Sequence, residues 1–318
     1  MRRPLVSVVC VCYNHEHFVA EALSSVLKQT YTDLQIIVID DASQDNSVAI
    51  IGKIVEQNPS IQFLALPKNV GLCKAFNTGL TLAKGDFIID FATDDIMLPE
   101  RIQHQVDFFD RLDDRYGVVF TDCVYVDAKG NFIRNHFEYL FQKQLLSKIP
   151  EGNVYADVVS TYFISAPTMM VRREVFQALG GYDESLSYED FDFWVRSSRL
   201  VKYGFLNERL TQVRRSQKSM STGWYSPGDP QLHSTYLVCK KAQALNQTEE
   251  EREALLKRVQ YELRQSVFSE NYAEANLFYD LLTELSGVRV IDRLTYLLRK
   301  LPLPLSGIRM MYHKIRFS

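Results

Sequence analysis

The sequence lacks long apolar runs, paired cysteine motifs, a glycine-rich nucleotide loop and any excess of basic residues. No apolar stretch approaches the ~18 residues of a membrane-spanning helix. The five cysteines form no Cys-x-x-Cys pair, which argues against a disulfide framework or a zinc site and points to a reducing cytoplasm. With 36 Lys/Arg against 39 Asp/Glu and a net charge of −3, the chain is not a globally basic nucleic-acid binder. No Gly-x-Gly-x-x-Gly follows the first strand, which disfavours a Rossmann-type dehydrogenase. The opening, Met1-Arg2-Arg3 then LVSVVCVCY, imitates a signal peptide. No small-residue cleavage site follows and Asn14-His15-Glu16 arrives too soon, so a buried first strand is expected, with Cys10 and Cys12 on one face. No internal repeat or low-complexity tract stands out.

What is present is core. A length of 318 residues, 46% hydrophobic and 12% aromatic, suffices for one large domain and a smaller appendage. Strands at 5–13, 34–39, 61–66, 86–91 and 117–126 alternate with helices near 17–29, 46–57, 72–83 and 99–112. That order predicts a mostly parallel, doubly wound α/β sheet. VSVVCV and QIIVID are apolar throughout, as strands covered on both faces should be. Residues 127–150 read as a connection, and a short helix at 173–179 closes on Gly180-Gly181. After Thr222 long helical periodicities run almost to the end. The expected division is a catalytic domain at 1–225 and a helical C-terminal region at 226–318.

Ligands of such sheets bind at the carboxyl ends of the strands, where polar clusters fall. Tyr13-Asn14 ends the first strand and DDASQDNS, residues 40–47, ends the second. An aromatic face at Tyr13 beside a carboxylate at Asp41 suits stacking on a base and accepting its ring N–H; Asp45 or Asn46 suits helix capping. The sequence FATDDIMLPERI places Asp94 and Asp95 after the fourth strand, with Pro99 expected to start the next helix. Negative charge at a helix start accounts for one carboxylate better than for two. A pair with free water positions suits Mg²⁺ or Mn²⁺ holding a diphosphate. In SYEDFDFWVRSSR, Glu189, Asp190 and Asp192 open an amphipathic helix, either as caps or, in a cleft facing an electrophile, with one as general base. In QVRRSQKSMS, Arg214, Arg215 and Lys218 are either solvated charges or a phosphate clamp.

Together these motifs resemble glycosyltransferase family 2, over about residues 5–222. VSVVCVCYNHEHFVAEALSSVLKQTYTDLQIIVIDDASQDNS is similar to the family's opening and NVGLCKAFNTGLTLAKGDFIIDFATDDIMLPERI to its middle; four motifs in order are far more specific than one. The resemblance implies a GT-A fold and an inverting transfer of sugar from a nucleotide-sugar donor, most plainly a UDP-sugar, to a glycan or lipid-linked saccharide, in polysaccharide or cell-surface glycan synthesis. It implies that Tyr13 stacks on the base, that Asp41 contacts base or ribose, and that Asp94 and Asp95 stand where the family's DxD binds ribose and metal-diphosphate. Lys74 and Arg215 join the donor contacts by the same resemblance, Mn²⁺ or Mg²⁺ is the implied cofactor, and Asp190, with Glu189 beside it, is the implied base. The family's first acid is replaced by Ala92, an Arg of the middle segment by Phe76 and a late His by Ser216. The alternative is a silent nucleotide-sugar-binding or scaffolding protein of the same fold.

From Val288 to Ser318 there are seven Lys/Arg and one Asp, so the tail carries +6 against −9 elsewhere. Val290, Leu294, Leu297, Leu298 and Leu301 recur at helical spacing beside Arg289, Arg293 and Lys300. Two arrangements are open: the stripe packs inward with a basic outer face, or it meets an anionic membrane surface. The excess charge in an otherwise acidic chain leads to the second expectation, peripheral contact through residues 288–318 on the cytoplasmic face.

Overall fold

Strand β1 (Val6–Cys12) is buried at all seven positions, as an uninterrupted apolar run requires when both faces are covered. The computed structural model describes residues 3–215, 225–301 and 304–307. After β1 come α1 (Val19–Leu27), β2 (Leu34–Asp40), α2 (Ser47–Gln57), β3 (Gln62–Ala65), α3 (Leu72–Leu82) and β4 (Phe87–Ala92). β1 lies between β2 and β4, β3 lies outside β2, and all these pairings are parallel. Cys12 is in register with Asp40, and Val11 with Ala92, so three strands end side by side. α3 approaches the sheet closely at Gly79, where a Cβ would collide with Val9.

The chain continues through β5 (Ile96–Met97), α4 (Arg101–Phe109), β6 (Tyr116–Val126), β7 (Phe132–Asn135), α5 (His136–Gln142) and α6 (Tyr155–Ser160). Then follow β8 (Met170–Arg172), α7 (Arg173–Leu179), α8 (Asp190–Ser197) and β9 (Lys202–Arg214). Among the described residues the sheet has nine strands in the order β3-β2-β1-β4-β8-β6-β9-β5, with β7 on β6. β6 does not follow β4 directly: the short β8 stands between them, antiparallel to both. β9 runs parallel to β6 and carries β5 antiparallel on its other side. Pro99 does not start a helix. α4 begins two residues later at Arg101 with Glu100 as its N-cap, while Pro99 C=O accepts from Thr30 N–H at 2.9 Å. All five cysteines are free and buried.

The chain groups into two compact units, the first of residues 1–154, 163–185 and 192–216, the second of residues 155–162, 186–191 and 217–318. The second is built on α9 (Pro230–Leu245), α10 (Glu249–Phe268), α11 (Tyr272–Glu284) and α12 (Val290–Leu298). Their starts are written in the sequence: Asp229 caps α9 ahead of Pro230, and Thr248 with Glu251 forms a capping box on α10. α10 packs on α6, α9, α11 and α12. Tyr155 Oη donates to Ala242 C=O at 3.1 Å and Arg258 Nε to Val159 C=O at 3.0 Å, tying α6 to α9 and α10. Among the described residues no helix is long and apolar enough to cross a membrane.

Candidate active site

The ends of β1 and β2 are laced together. Asn14 N–H donates to Ser43 Oγ at 2.9 Å, Gln44 N–H donates to Asn14 Oδ1 at 2.7 Å, and Ser43 donates through N–H and Oγ to Asp40. Asp45 accepts from Glu16 N–H and Ser47 N–H. Asn14 (φ 57°) and Ala42 (φ 61°) are both left-handed, at a cost of roughly 1–2 kcal/mol each that the surrounding bonds hold in place. Tyr13, just before this turn, is 43% exposed and presents its ring to solvent. Asp41 is buried, and its two oxygens accept from Val70 N–H at 2.7 Å and Gly71 N–H at 3.0 Å. Its first task is therefore to fix the loop that leads into α3; each oxygen keeps acceptor capacity for a ligand.

Asp94 and Asp95 follow β4. Asp95 is 3% exposed and its Oδ1 accepts from Arg214 N–H at 2.8 Å. Burial, then the adjacent Asp94 charge, push the Asp95 carboxyl well above the usual carboxylate range, against that hydrogen bond and the charges of Arg215 and Arg101. Arg214, at the end of β9, is not a free phosphate clamp. Its Nε donates to Asp94 C=O at 2.9 Å, Nη1 to Ala128 C=O at 3.2 Å and Nη2 to Glu21 at 2.7 Å, so its donors are consumed within the protein. Behind the pair, Thr93 Oγ1 donates to Val11 C=O at 3.2 Å and lies 2.8 Å from His15 Nδ1.

The donor set fits a hard divalent cation. The Asp94 carboxylate and Asp95 Oδ2 make no hydrogen bond among the described residues, and two crowded carboxylates, one buried, present the charge that such an ion relieves. No group of three or more His, Cys, Asp or Glu occurs among the described residues. Such an ion would find two protein carboxylates here and would need other oxygen donors for the rest of its shell.

Lys74 sits in the first turn of α3, exposed, 3.6 Å from Glu184. Arg215 stacks over the Tyr125 ring at 4.3 Å. Phe76 is fully buried against Tyr182 and Phe176, with ring centroids 4.4 and 5.3 Å away, so this position serves packing. Ser216 and Lys218 lie outside the described residues.

In the second unit, Asp190 is the first residue of α8 and Glu189 before it is buried. The segment that carries them is anchored on both sides. Ser187 N–H donates to Ser234 Oγ at 2.9 Å, Tyr188 Oη lies 2.7 Å from Thr235 Oγ1, and the Arg258 guanidinium stands over Phe191 at 5.2 Å and Tyr162 at 3.8 Å. In the first unit Asp192 is buried and paired with Arg196 at 2.6 Å, a structural role, and Trp194 donates to Met169 Sδ at 3.3 Å.

Residues 7–180 match the model of glycosyl transferase family 2, more than half of the 318-residue chain. The chain belongs to that family. This glycosyltransferase is 28% identical over 215 residues to an uncharacterised glycosyltransferase of Rickettsia typhi, across 66% of this chain and 64% of the relative. It thus spans somewhat less than two thirds of that relative's length. It is 26% identical over 209 residues to Escherichia coli chondroitin synthase, across 65% of this chain but 28% of the synthase. Among solved structures, S. aureus TarS in complex with UDP-GlcNAc aligns with a TM-score of 0.68 at 19% identity, covering 98% of this chain and 91% of that one. The Pyrobaculum calidifontis mannosyltransferase PcManGT, in complex with GDP-Man and Mn²⁺, aligns at 0.60 and 15% identity, covering 100% and 82%. At these identities the likeness shows the fold, which is GT-A.

Two buried arginines beside the acidic pair have structural roles that their motifs do not announce. Arg214 was visible only as one charge of a basic run. Arg101, in the first turn of α4, is fully buried; Nε donates to Gln105 Oε1 at 3.1 Å, Nη2 donates to Met169 C=O at 3.2 Å, and Nη1 has no hydrogen-bond partner among the described residues. Burial pushes its pKa down to about 9, with the Asp95 charge pulling the other way. The motif PERI, whose arginine lies six residues after Asp95, carries no signal of this burial.

Proposed function

We propose that this glycosyltransferase moves a sugar from a UDP-sugar to a glycan or lipid-linked saccharide, with inversion, in the cytoplasm. The observation that carries this is the paired carboxylate Asp94–Asp95 at the carboxyl end of β4, next to the ends of β1 and β2, with Asp95 oriented by the Arg214 backbone. In this reading Tyr13 stacks on the uracil and Asp41 accepts from base or ribose through its remaining lone pairs. Asp94 and Asp95 hold the Mn²⁺ or Mg²⁺ ion, and Lys74 and Arg215 add positive charge for the diphosphate. The chemistry such an ion supplies is neutralisation of the charge that develops on the departing diphosphate. Asp190 takes the proton from the acceptor hydroxyl as it attacks the anomeric carbon, and a single displacement inverts that centre. Glu189 supports Asp190. The cytoplasmic setting is supported by five free, buried thiols.

The test is a thermal-shift screen of nucleotide sugars with Mn²⁺, since a ligand of the folded state alone raises the unfolding temperature, followed by measurement of UDP release with acceptor. A UDP-sugar that raises the unfolding temperature and is turned over supports the reading. Stabilisation without any release of UDP would instead identify a silent binder, and no stabilisation by any nucleotide sugar would reject both.

A further inference from the structure

Helix α12 is inside out. Its buried residues are Asp292, 1% exposed, and Thr295, 7% exposed, whereas Val290 (75%), Ile291 (55%), Leu294 (56%), Leu297 (48%) and Leu301 just beyond it (48%) face solvent. The polar side is the docked side. Asp292 accepts from Arg289 Nε at 2.9 Å, Tyr296 stacks on Tyr279 of α11 at 4.0 Å between centroids, and Tyr296 Oη donates to Asn276 Oδ1 at 2.8 Å. The outward leucines therefore sit on a helix fixed in place, and they stay exposed among the described residues.

We propose that this face docks on an anionic lipid surface. Val290, Leu294, Leu297 and Leu301 follow the i, i+4, i+7, i+11 spacing of a single stripe. Arg293 and Lys300 fall along one flank of it, exposed, and their side chains make no hydrogen bond or ion pair among the described residues. A basic flank beside an apolar stripe is what an interfacial helix needs, with the stripe among acyl chains and the cations at the headgroups. The charge of the chain points the same way: the tail from Val288 carries +6 and the rest −9, so the excess positive charge lies at this end. IRMMYHKIRFS, residues 308–318, extends the same aliphatic and basic composition. A second copy of the chain is a poorer occupant, because a helix of nine residues is about 13 Å long and offers far less than the ~800 Å² per partner of a stable dimer. This inference rests on the exposed face of α12 and is independent of the sugar transfer.

The experiment is co-sedimentation of the full chain with vesicles of phosphatidylcholine, with and without phosphatidylglycerol, at low and high salt. Binding is expected to anionic vesicles only and to be released by salt. Arg293→Glu with Lys300→Glu should weaken it by more than about tenfold, since each basic residue near such a surface contributes roughly fivefold. Leu294→Glu with Leu297→Glu should abolish it. All four side chains are exposed, so unfolding temperature and UDP affinity should match the parent and exclude misfolding as the cause. Anionic-vesicle binding that both variants retain would overturn the proposal, as would no binding by the parent. A concentration-dependent dimer that the leucine variant dissolves, with no vesicle binding, would assign the face to a second copy instead.

Discussion

Arg214 holds both members of the acidic pair, its backbone N–H on the Asp95 carboxylate at 2.8 Å and its Nε on the Asp94 carbonyl at 2.9 Å. β9 therefore sets the geometry of a loop more than a hundred residues away in sequence. Position 95 can then be changed in charge without losing its anchor. In Asp95→Asn the Oδ1 still accepts from Arg214, and the charge that burial and Asp94 disfavour is gone. The unfolding temperature should be equal to or above the parent's, while UDP affinity in Mn²⁺ falls at least about tenfold, or ~1.4 kcal/mol. Calorimetry with Mn²⁺ and with chelator checks this; a parent that binds UDP equally in both has no metal at this site.

Asp190→Asn is expected to keep the donor affinity and lose about 10²–10⁴-fold in turnover, the usual contribution of a positioned base. The substitution is isosteric and Asp190 lies at a helix start, so the fold should be retained. Transfer at the parent rate would move the role to Glu189.

His136 predicts a stability change with pH. Tyr125 Oη lies 3.0 Å from His136 Nδ1 and His136 Nε2 donates to Phe163 C=O at 2.7 Å, so in the neutral ring Nδ1 is left to accept from the Tyr125 hydroxyl. Burial holds its pKa below the ordinary 6.5. Above that value folded and unfolded chains bind the same number of protons at this site. As pH falls below it, the unfolded chain takes up a proton that the fold does not, and stability drops by up to about 1.4 kcal/mol per pH unit. Urea midpoints on either side of about pH 6.5 should show a shallower loss in His136→Gln than in the parent; identical slopes would remove His136 as the source.

Arg258 and Glu262 form a fully buried pair at 3.2 Å, and burial pushes the Glu262 carboxyl above its usual range against the pull of Arg258. Arg258→Met leaves that acid without its partner and also takes the donor from Val159 C=O, so a loss of about 3–5 kcal/mol is expected. Arg258→Met with Glu262→Leu should recover part of it. Denaturant unfolding of the parent, single and double variants decides the point, and a single variant within about 0.5 kcal/mol of the parent would refute it.

The first half of the fold was legible because its physics is local. β1 to β4 and α1 to α3 fall within two residues of the apolar runs and periodicities that announce them. β9 was not, although it is the longest strand: KYGFLNERLTQVR alternates irregularly, with Glu208 and Arg209 in mid-strand, and its pairing with β6 is non-local. Asp94 and Asp95 stood out because adjacent like charges need a reason. Arg101 did not, because an arginine after Pro-Glu reads as the solvated start of a helix, and only the packing shows it buried. The stripe on α12 was visible as a stripe, but periodicity says which residues share a face and not which way that face turns.

Residues 155–162 and 186–191 belong with the C-terminal helices and not with their sequence neighbours. Grafting between relatives feels this directly. A chimaera joined near residue 225 would import foreign α9 and α10 while keeping the native Tyr155, Val159 and Tyr188, whose partners are Ala242, Arg258 and Thr235. The heritable module is three separate pieces of chain, and the second of them includes Asp190, so a swap of the helices alone would disturb the proposed base without touching its codon.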